Sequence, residues 1–443
     1  MPKISRRRCI ETAGLGSLLL SSQGRLSAWA EQVLTNRQRR RHCILLWMTG
    51  GASQIDTFDM KVNHENGGEF KEIQTNVPGI RISEHLPHLS KQADKLAIVR
   101  SLSTKEGDHG RGTYLMRTGQ SPTEPIGFPT IGSSLAKELG NHEDAIPNYV
   151  SISPYRAFNQ NAFGPGFLGP GYAPLTVGAT DNLPTDGQGL QDDKAPLMVD
   201  DLQSAVGAKQ FHDRYKLWRQ LQDRFLANHQ RTAPRAQDTV YRRAMKLMNS
   251  HAVNAFDLSQ ESAEVRAAYG PGRFGQGCLM ARRLIEQDVA FVEVSLGSVG
   301  PMSLAWDTHQ NNFPAVKQLC TQLDMAWSAL INDLEQRNLL PSTTIIWMSE
   351  FGRTPEINRD AGRDHFPQAW TAVLAGGGIQ GGQAFGKTSA SGMEIVDRKV
   401  LVGDLLATLS AALGVDPATE NISELGRPIK IADGDPILDL LAS

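Results

Sequence analysis

The chain has 443 residues, with 45 lysines and arginines against 47 aspartates and glutamates, so its formal net charge is −2 at pH 7. This balance gives no support to the strongly basic surface that a nucleic-acid-binding protein needs. The hydrophobic fraction of 40% is typical of a globular protein with a large core. Beyond the N-terminal segment, no stretch has the ~20 apolar residues of a membrane-spanning helix.

The first thirty residues predict an export signal. A basic run at residues 5–8 (SRRR) precedes a short apolar stretch at residues 13–20, and Ala28-Trp29-Ala30 has the small-x-small form of a cleavage site. The paired arginines and the mild hydrophobicity favour the twin-arginine route. We therefore expect residues 1–30 to be removed and the mature protein to work in the periplasm or outside the cell. A basic tail before a short amphipathic helix is the alternative interpretation.

Apolar runs of strand length alternate with runs of helix length along the rest of the chain. The predicted strands are residues 43–48, 96–99, 150–153, 289–296, 343–348 and 372–375, and the predicted helices are residues 131–139, 313–336 and 401–413. Continuous apolar strands are typical of a parallel sheet that is buried on both faces. The order of elements predicts an α/β fold, with a mostly parallel central sheet and helices on both of its faces.

An insertion interrupts this pattern at about residues 154–267. Residues 154–196 are rich in Gly, Pro, Asn and Asp and predict a long loop. Residues 200–267 are polar and helix-forming, and their apolar residues at helical spacing include Tyr215, Trp218, Leu221 and Phe225. That stripe predicts a helix which packs one face on the core. We expect residues 31–443 to form one domain that contains this insertion.

The cysteines do not predict a disulfide framework. Cys9 lies in the predicted signal, which leaves Cys43, Cys278 and Cys320 in the mature chain. An odd number excludes complete pairing, and no C-x-x-C spacing indicates a zinc knuckle. Cys43 lies within a predicted strand and is expected to be a small core residue.

Polar residues follow the predicted strands, and ligands of open α/β sheets bind beyond the carboxyl ends of the strands. The candidates in chain order are Asp56, His109, Asp307, His309, Glu350, Arg353, Asp364 and His365. A lone histidine at such a place is more often structural, but four such loops are expected to meet at one edge. Carboxylates together with imidazoles suit Zn, Mn or Fe. An arginine there, Arg111 or Arg353, either holds an anionic phosphoryl or sulfuryl group or braces a loop.

Several segments resemble motifs of the alkaline-phosphatase and sulfatase superfamily. Residues 115–119 (LMRTG) and 129–135 (PTIGSSL) resemble the sulfatase nucleophile helix with its turn and the helix that follows it. Residues 344–352 (TIIWMSEFG) resemble the strand with a Ser-Asp-His-Gly motif, and residues 373–379 (VLAGGGI) resemble the next strand and turn. Residues 402–409 (VGDLLATL) resemble the closing helix. The combination of residues 47–54 (WMTGGASQ), 350–355 (EFGRTP) and 362–365 (GRDH) is similar to the bacterial family called domain of unknown function 1501. The resemblance covers nearly all of the chain after the signal. It implies an alkaline-phosphatase-like three-layer sandwich of the sulfatase-like kind.

The resemblance also implies a divalent metal ion, with Zn, Mn and Ca as candidates. Its implied ligands are Asp307, His309 and His365, with Glu350 and Asp56 as further ligands. The sequence departs from the sulfatase pattern at the paired aspartates after the first strand, where Thr49 and Gly50 stand instead.

The covalent nucleophile of the sulfatases is missing, since His109 stands at its position. We interpret His109 as a catalytic residue that faces the substrate, with metal binding and a phospho-histidine intermediate as alternatives. Direct attack by water needs no side-chain nucleophile. Arg353 is the residue expected to bind the anion.

Two functions are consistent with these residues. The first is an extracytoplasmic, metal-dependent hydrolase of phosphate or sulfate esters, for which an anionic ester on a sulfated or phosphorylated glycan is a candidate substrate. Trp306 and Trp370 then stack on sugars or simply pack in the core. The second is a non-catalytic binding or assembly protein that keeps the fold, which the missing nucleophile favours.

Overall fold

A computed structural model describes residues 41–442, apart from residues 123–125, 142–143, 179–196, 200–201, 203, 229–231 and 298–304. The predicted signal peptide at residues 1–30 lies outside the described residues, as does part of the predicted loop. Residues Arg41–Ala442 cluster as one unit.

Strands and helices alternate along most of the described chain. The strands are β1 (His42–Met48), β2 (Glu72–Gln74), β3 (Arg81–Ser83), β4 (Leu96–Leu102), β5 (Tyr149–Ile152), β6 (Leu175–Val177), β7 (Phe291–Leu296), β8 (Thr343–Met348), β9 (Gly352–Arg353), β10 (His365–Phe366), β11 (Trp370–Gly376), β12 (Gln383–Phe385), β13 (Lys387–Thr388), β14 (Ile395–Asp397), β15 (Glu420–Ile422) and β16 (Pro428–Lys430). The α-helices are α1 (His109–Thr118), α2 (Ile131–Leu139), α3 (Ala208–Asn228), α4 (Thr232–Met248), α5 (Ala263–Ala268), α6 (Arg273–Ile285), α7 (Asn312–Gln336) and α8 (Val402–Ala412). Short 3-10 helices, such as Leu89–Lys95 and His251–Phe256, connect them.

The central sheet has eight strands in the order β12-β4-β11-β8-β1-β7-β5-β6. Side chains of β1 alternate between two cores, because successive residues of a strand point to opposite faces. Ile44 and Leu46 belong to the core shared with α6 and α7, whereas Leu45 and Trp47 belong to the core shared with α2 and α8. The predicted α/β fold, with a mostly parallel sheet covered by helices on both faces, is confirmed.

One strand of this sheet runs against the others. β11 pairs antiparallel with both β4 and β8, while the other neighbouring strands of the sheet pair in parallel. The residues just before β11 therefore reach the same edge as the residues just after β1, β4, β7 and β8. This edge carries the candidate site.

The helical insertion differs from the prediction. Leu221 and Phe225 of α3 are 60% and 46% exposed, so the stripe predicted to pack on the core does not do so. Trp218 stacks instead between Tyr215 of the same helix and Tyr241 of α4. The prediction was wrong because helical spacing shows which face is apolar but not what covers it.

The cysteines and the closing helix follow the predictions. Cys43, Cys278 and Cys320 are buried and unpaired, and burial raises the pKa of the Cys43 thiol. Helix α8 ends just before Gly414, whose left-handed φ of 75° is typical of a helix stop. None of the helices among the described residues has the length and apolar character needed to cross a membrane.

Candidate metal centre

The local chain order places each polar side chain at the sheet edge. The Asp108 side chain accepts a hydrogen bond from the backbone N–H of Arg111 (3.0 Å), which caps α1 so that His109 is its first residue. Asp307 and His309 lie between β7 and α7, and Glu350 follows β8 by two residues. His365 in β10 pairs with Arg353 in β9, so this short antiparallel pair joins the loop after β8 to the loop before β11.

Four of these residues converge on one point, and we call them the Asp307 centre: His109, Asp307, His309 and His365. The Asp307 Oδ1 atom lies 3.3 Å from His109 Nε2, 3.1 Å from His309 Nε2 and 3.3 Å from His365 Nε2. His309 Nε2 and His365 Nε2 are 3.0 Å apart. One ligand atom each from His109, Asp307 and His365 all lie within 4.8 Å of one another, a spacing that could hold a metal ion.

Each of the three imidazoles is held by its other nitrogen. His109 Nδ1 lies 2.8 Å from Glu350 Oε1, His309 Nδ1 lies 2.7 Å from Asp364 Oδ1, and His365 Nδ1 lies 2.7 Å from the Gly107 carbonyl. Metal-binding histidines usually donate their second N–H to such a carboxylate or carbonyl, which fixes the ring and its tautomer. The arrangement leaves Nε2 of all three rings turned toward Asp307.

These contacts determine whether each Nε2 atom carries a proton or a lone pair. A carbonyl only accepts, so Nδ1 of His365 carries a proton and Nε2 of the neutral ring carries a lone pair. Ionised carboxylates at Glu350 and Asp364 select the same tautomer in His109 and His309. Lone pairs and a carboxylate oxygen 3.0 to 3.3 Å apart repel one another unless a proton or a metal cation lies between them. In a tetrahedral zinc shell, neighbouring ligand atoms are about 3.3 Å apart, so these spacings fit a metal ion.

His109 is the most enclosed ligand candidate. Its ring stacks face to face on Phe158, with ring centroids 4.2 Å apart and planes 7° apart. The buried Nε2 atom has no hydrogen-bond partner among the described residues. Burial lowers the pKa of His109, but the carboxylates of Asp307 and Glu350 together outweigh burial and raise the pKa to about 9. A cation at Nε2 would supply the partner that this atom lacks.

Arg353 lies behind the centre. Its side chain is fully buried and donates to the carbonyls of Gly50, Gly51 (3.0 Å) and Arg363 (3.1 Å), and to Asp307 Oδ1. Burial raises the pKa of Asp307, but the contacts with His109 and His365 and the charge of Arg353 outweigh it and hold that pKa well below its usual range. The guanidinium predicted to bind the substrate anion is thus buried, and it contacts Asp307 and backbone carbonyls instead.

Glu350 also lies one layer behind the Nε2 atoms. It is fully buried, and its Oε1 atom accepts a hydrogen bond from the Gly50 backbone N–H (2.8 Å) as well as contacting His109. The structure therefore places Glu350, which the sequence indicated as a direct ligand, where it supports His109 instead. The Asp307 carboxylate contacts Arg353, whereas the carboxylates of Glu350 and Asp364 contact the imidazoles of His109 and His309.

Asp56 lies apart in a second polar group, the Asp56–Arg363 cluster of Ser53, Asp56, Asn312 and Arg363. Both carboxylate oxygens of Asp56 accept from Arg363, at 2.8 and 2.9 Å, and Asn312 and Ser53 donate to Oδ2 at 2.8 and 2.7 Å. Asp56 and Arg363 are both fully buried. The structure does not bring Asp56 to the Asp307 centre, because Arg363 already satisfies its charge.

The cluster positions the loops that carry His309 and His365. The Arg363 backbone N–H donates to the Thr308 carbonyl (2.9 Å), next to His309. A Cβ atom on Gly362 would lie 1.8 Å from the His309 carbonyl oxygen, so only glycine allows this approach. The buried ion pair thus fixes the two loops that carry His309 and His365 against each other.

The centre opens to solvent on one side. The side chains of His109, His365 and His309 are 13%, 25% and 43% exposed, so access increases toward His309. Trp306 and Trp370 are buried, which makes them packing residues and excludes stacking on a sugar. Sequence reasoning missed the Gly107 carbonyl, the stacking Phe158 and the support that Asp364 gives to His309.

Comparisons with solved structures return proteins of the alkaline phosphatase and sulfatase group. One is a protein in the alkaline phosphatase superfamily from Vibrio parahaemolyticus, with 14% identity, a TM-score of 0.43, and coverage of 91% of this chain and 71% of that chain. Others are the PsFucS1 sulfatase from Pseudoalteromonas sp. (12%, 0.41, 88% and 71%) and the lipoteichoic acid synthase LtaP from Listeria monocytogenes (8%, 0.41, 91% and 76%). We draw neither activity nor substrate from likenesses of this size.

A model of one protein family matches nearly all of the described residues. None of the curated proteins matches the sequence. The model of the family described as "Protein of unknown function (DUF1501)" matches residues 40–441. The protein therefore belongs to the DUF1501 family, as its sequence motifs predicted.

Proposed function

We propose that this protein is a metal-dependent hydrolase of phosphate or sulfate esters that works outside the cytoplasm. One observation carries the proposal: three imidazole Nε2 atoms face one carboxylate oxygen, and each ring is held by its Nδ1 atom. Ionisable groups that are gathered and individually oriented in this way are typical of metal and catalytic sites.

His109, Asp307 and His365 would hold the ion, with His309 as a fourth ligand on the open side. Imidazoles with one carboxylate suit Zn or Mn, whereas Ca prefers six to eight oxygen ligands. Zn and Mn are therefore better candidates than Ca. A divalent ion at this place would polarise a phosphoryl or sulfuryl oxygen.

The chain's own residues orient the ligands. Glu350 holds the His109 ring, Arg353 holds Asp307, and Asp364 holds His309. His109 is poorly placed as a covalent nucleophile, because Nδ1 contacts Glu350 and Nε2 faces Asp307. We therefore assign His109 to the metal and expect hydrolysis without a phospho-histidine.

The substrate class follows from the motifs and from the charge of the site. The segments that resemble sulfatases and alkaline phosphatases include the strand end with Glu350 and the helix that starts at His109. A cation at a half-open centre attracts an anionic ester group. An ester on a phosphorylated or sulfated glycan is the candidate natural substrate.

Turnover by the metal-loaded protein tests the proposal. The probes are p-nitrophenyl phosphate, bis-p-nitrophenyl phosphate and p-nitrophenyl sulfate, assayed with Zn and with Mn. We expect hydrolysis of at least one ester by the wild type and a loss of more than about 100-fold in Asp307→Asn, since the ion would lose its carboxylate ligand. Bound metal without turnover of any ester would instead favour the non-catalytic binding protein.

Export is a separate part of the proposal. Arg6 and Arg7 are the paired arginines of the predicted signal. In cells, Arg6→Lys with Arg7→Lys is expected to retain the full-length precursor in the cytoplasm, while the wild type appears as a shorter periplasmic or secreted form. Equal export of both forms contradicts the twin-arginine route.

A further inference from the structure

We propose that the hydroxyl group of Tyr155 binds the anionic group of the substrate at the Asp307 centre. This inference rests on the proposed function and names the donor that the arginines do not supply. An anion at the centre needs hydrogen-bond donors besides the cation, because its outer oxygens would otherwise lose the hydrogen bonds they make to water.

Three guanidinium groups of the surrounding segments already have partners. Arg353 directs its donors to three backbone carbonyls and to Asp307, and its side chain is fully buried. Arg363 directs its donors to Asp56 and to the carbonyls of Asn66, Thr354 and Pro355. Arg111 binds Glu106 through Nε and Nη2, at 2.7 and 2.8 Å. None of the three guanidinium groups directs a pair of free N–H donors toward His309 and His365.

Tyr155 lies one ring away from the ligand His109. Strand β5 is followed by Ser153, whose φ of 52° is left-handed. The Tyr155 ring then packs edge-on against Phe158, with centroids 4.9 Å apart and planes at 77°. Phe158 in turn stacks flat on His109 at 4.2 Å. The three rings form one wall of the centre.

Tyr155 is half-buried, and its hydroxyl makes no hydrogen bond to the residues that the structure describes. Tyrosines elsewhere in the fold do bond through their hydroxyl oxygen: Tyr114 to the Phe128 N–H, Tyr149 to Glu293 and Tyr269 to Asp333. Burial and the negative charge of Asp307 raise the pKa of Tyr155, so its hydroxyl stays protonated at neutral pH. A protonated hydroxyl without a partner, beside a cation site, suits an oxyanion.

The test compares Tyr155→Phe with the wild type, both as metal-loaded full-length mature chains. The variant keeps the ring packing and removes only the donor. Tyr241→Phe is the matched control, because Tyr241 stacks on Trp218 rather than on the wall of the centre. Metal content is measured by elemental mass spectrometry, and the binding of inorganic phosphate and of sulfate is measured by calorimetry.

We expect equal metal content in all three proteins and anion binding about ten-fold or more weaker in Tyr155→Phe alone, since a hydrogen bond to a charged group is lost. Anion affinity equal to that of the wild type would overturn the proposal, as would loss of the metal in Tyr155→Phe. A wild type that takes up metal but neither anion would overturn it as well. A wild type that takes up no metal contradicts the proposed function itself, and the metal measurement separates that result from the others.

Discussion

Two groups of polar side chains lie below the same edge of the sheet, and they differ in how their carboxylates are satisfied. In the Asp56–Arg363 cluster the Asp56 carboxylate accepts bidentate hydrogen bonds from Arg363 and one hydrogen bond from the Asn312 amide. Asp56 and Arg363 are both fully buried. In the Asp307 centre the carboxylate faces three imidazole nitrogens and one arginine, and the group opens toward His309.

The difference shows why residue type alone did not identify the ligands. Asp56 and Asp307 both follow strands at the correct edge, and each has an arginine partner. The charge of Asp56 is balanced by Arg363, and both of its carboxylate oxygens accept hydrogen bonds, as is typical of a structural ion pair. Asp307 also faces three imidazole nitrogens, and such an arrangement is the one we propose for a metal site.

The largest stability effect is expected from breaking the sealed cluster. Asp56→Ala leaves the Arg363 charge buried and unpaired, and we expect it to lower the free energy of unfolding by about 3–5 kcal/mol. Urea unfolding measures this change. The double variant Asp56→Leu with Arg363→Met should recover much of the loss, because an apolar pair of similar size needs no charge partner. Equal stability of Asp56→Ala and the wild type contradicts the structural role.

An intermediate effect is expected behind the open centre. Glu350→Gln keeps an acceptor for the Gly50 N–H but removes the charge that holds the His109 ring, so we expect metal affinity to fall about 10- to 100-fold. Competition with a metal chelator measures the affinity. The exposed Glu394→Gln is the control. Unchanged affinity in Glu350→Gln argues against support of His109 by Glu350.

The smallest effect is expected from the aromatic wall. Phe158→Ala removes the stacked face that restrains His109, and an aromatic pair contributes about 0.5–1.5 kcal/mol beyond its buried area. We therefore expect metal affinity to fall by roughly 3- to 10-fold. Phe225→Ala on the exposed face of α3 serves as the control. A loss of metal as complete as that of a ligand variant would mean that Phe158 shapes the whole site.

Much of the fold follows from local patterns. The helix at residues 131–139 and the strand at residues 343–348 have the predicted bounds, since apolar runs and caps are local signals. No local sequence pattern predicts that β11 runs antiparallel, yet this direction brings His365, which precedes β11, into contact with Asp307.

The candidate ligand residues were recognisable by type, but their partners were not. Asp-x-His at residues 307–309 and the histidine at residue 365 are readable in the sequence. The pairing of Asp56 with Arg363 spans 307 positions, and the Gly107 contact uses a backbone carbonyl. Long-range pairing and backbone groups leave no mark on residue type, so the assignment of Asp56, Glu350 and Arg353 needed the structure.

Metal content tests the central claim most directly. The mature protein, made without chelators or a histidine tag, is measured by elemental mass spectrometry beside the Asp307→Ala/His309→Ala double variant and the exposed-histidine control His251→Ala. We predict about one equivalent of a divalent ion in the wild type and in the control, and none in the folded double variant. A folded wild type without metal under replete conditions, or a double variant that keeps its metal, would contradict the Asp307 centre as a metal site.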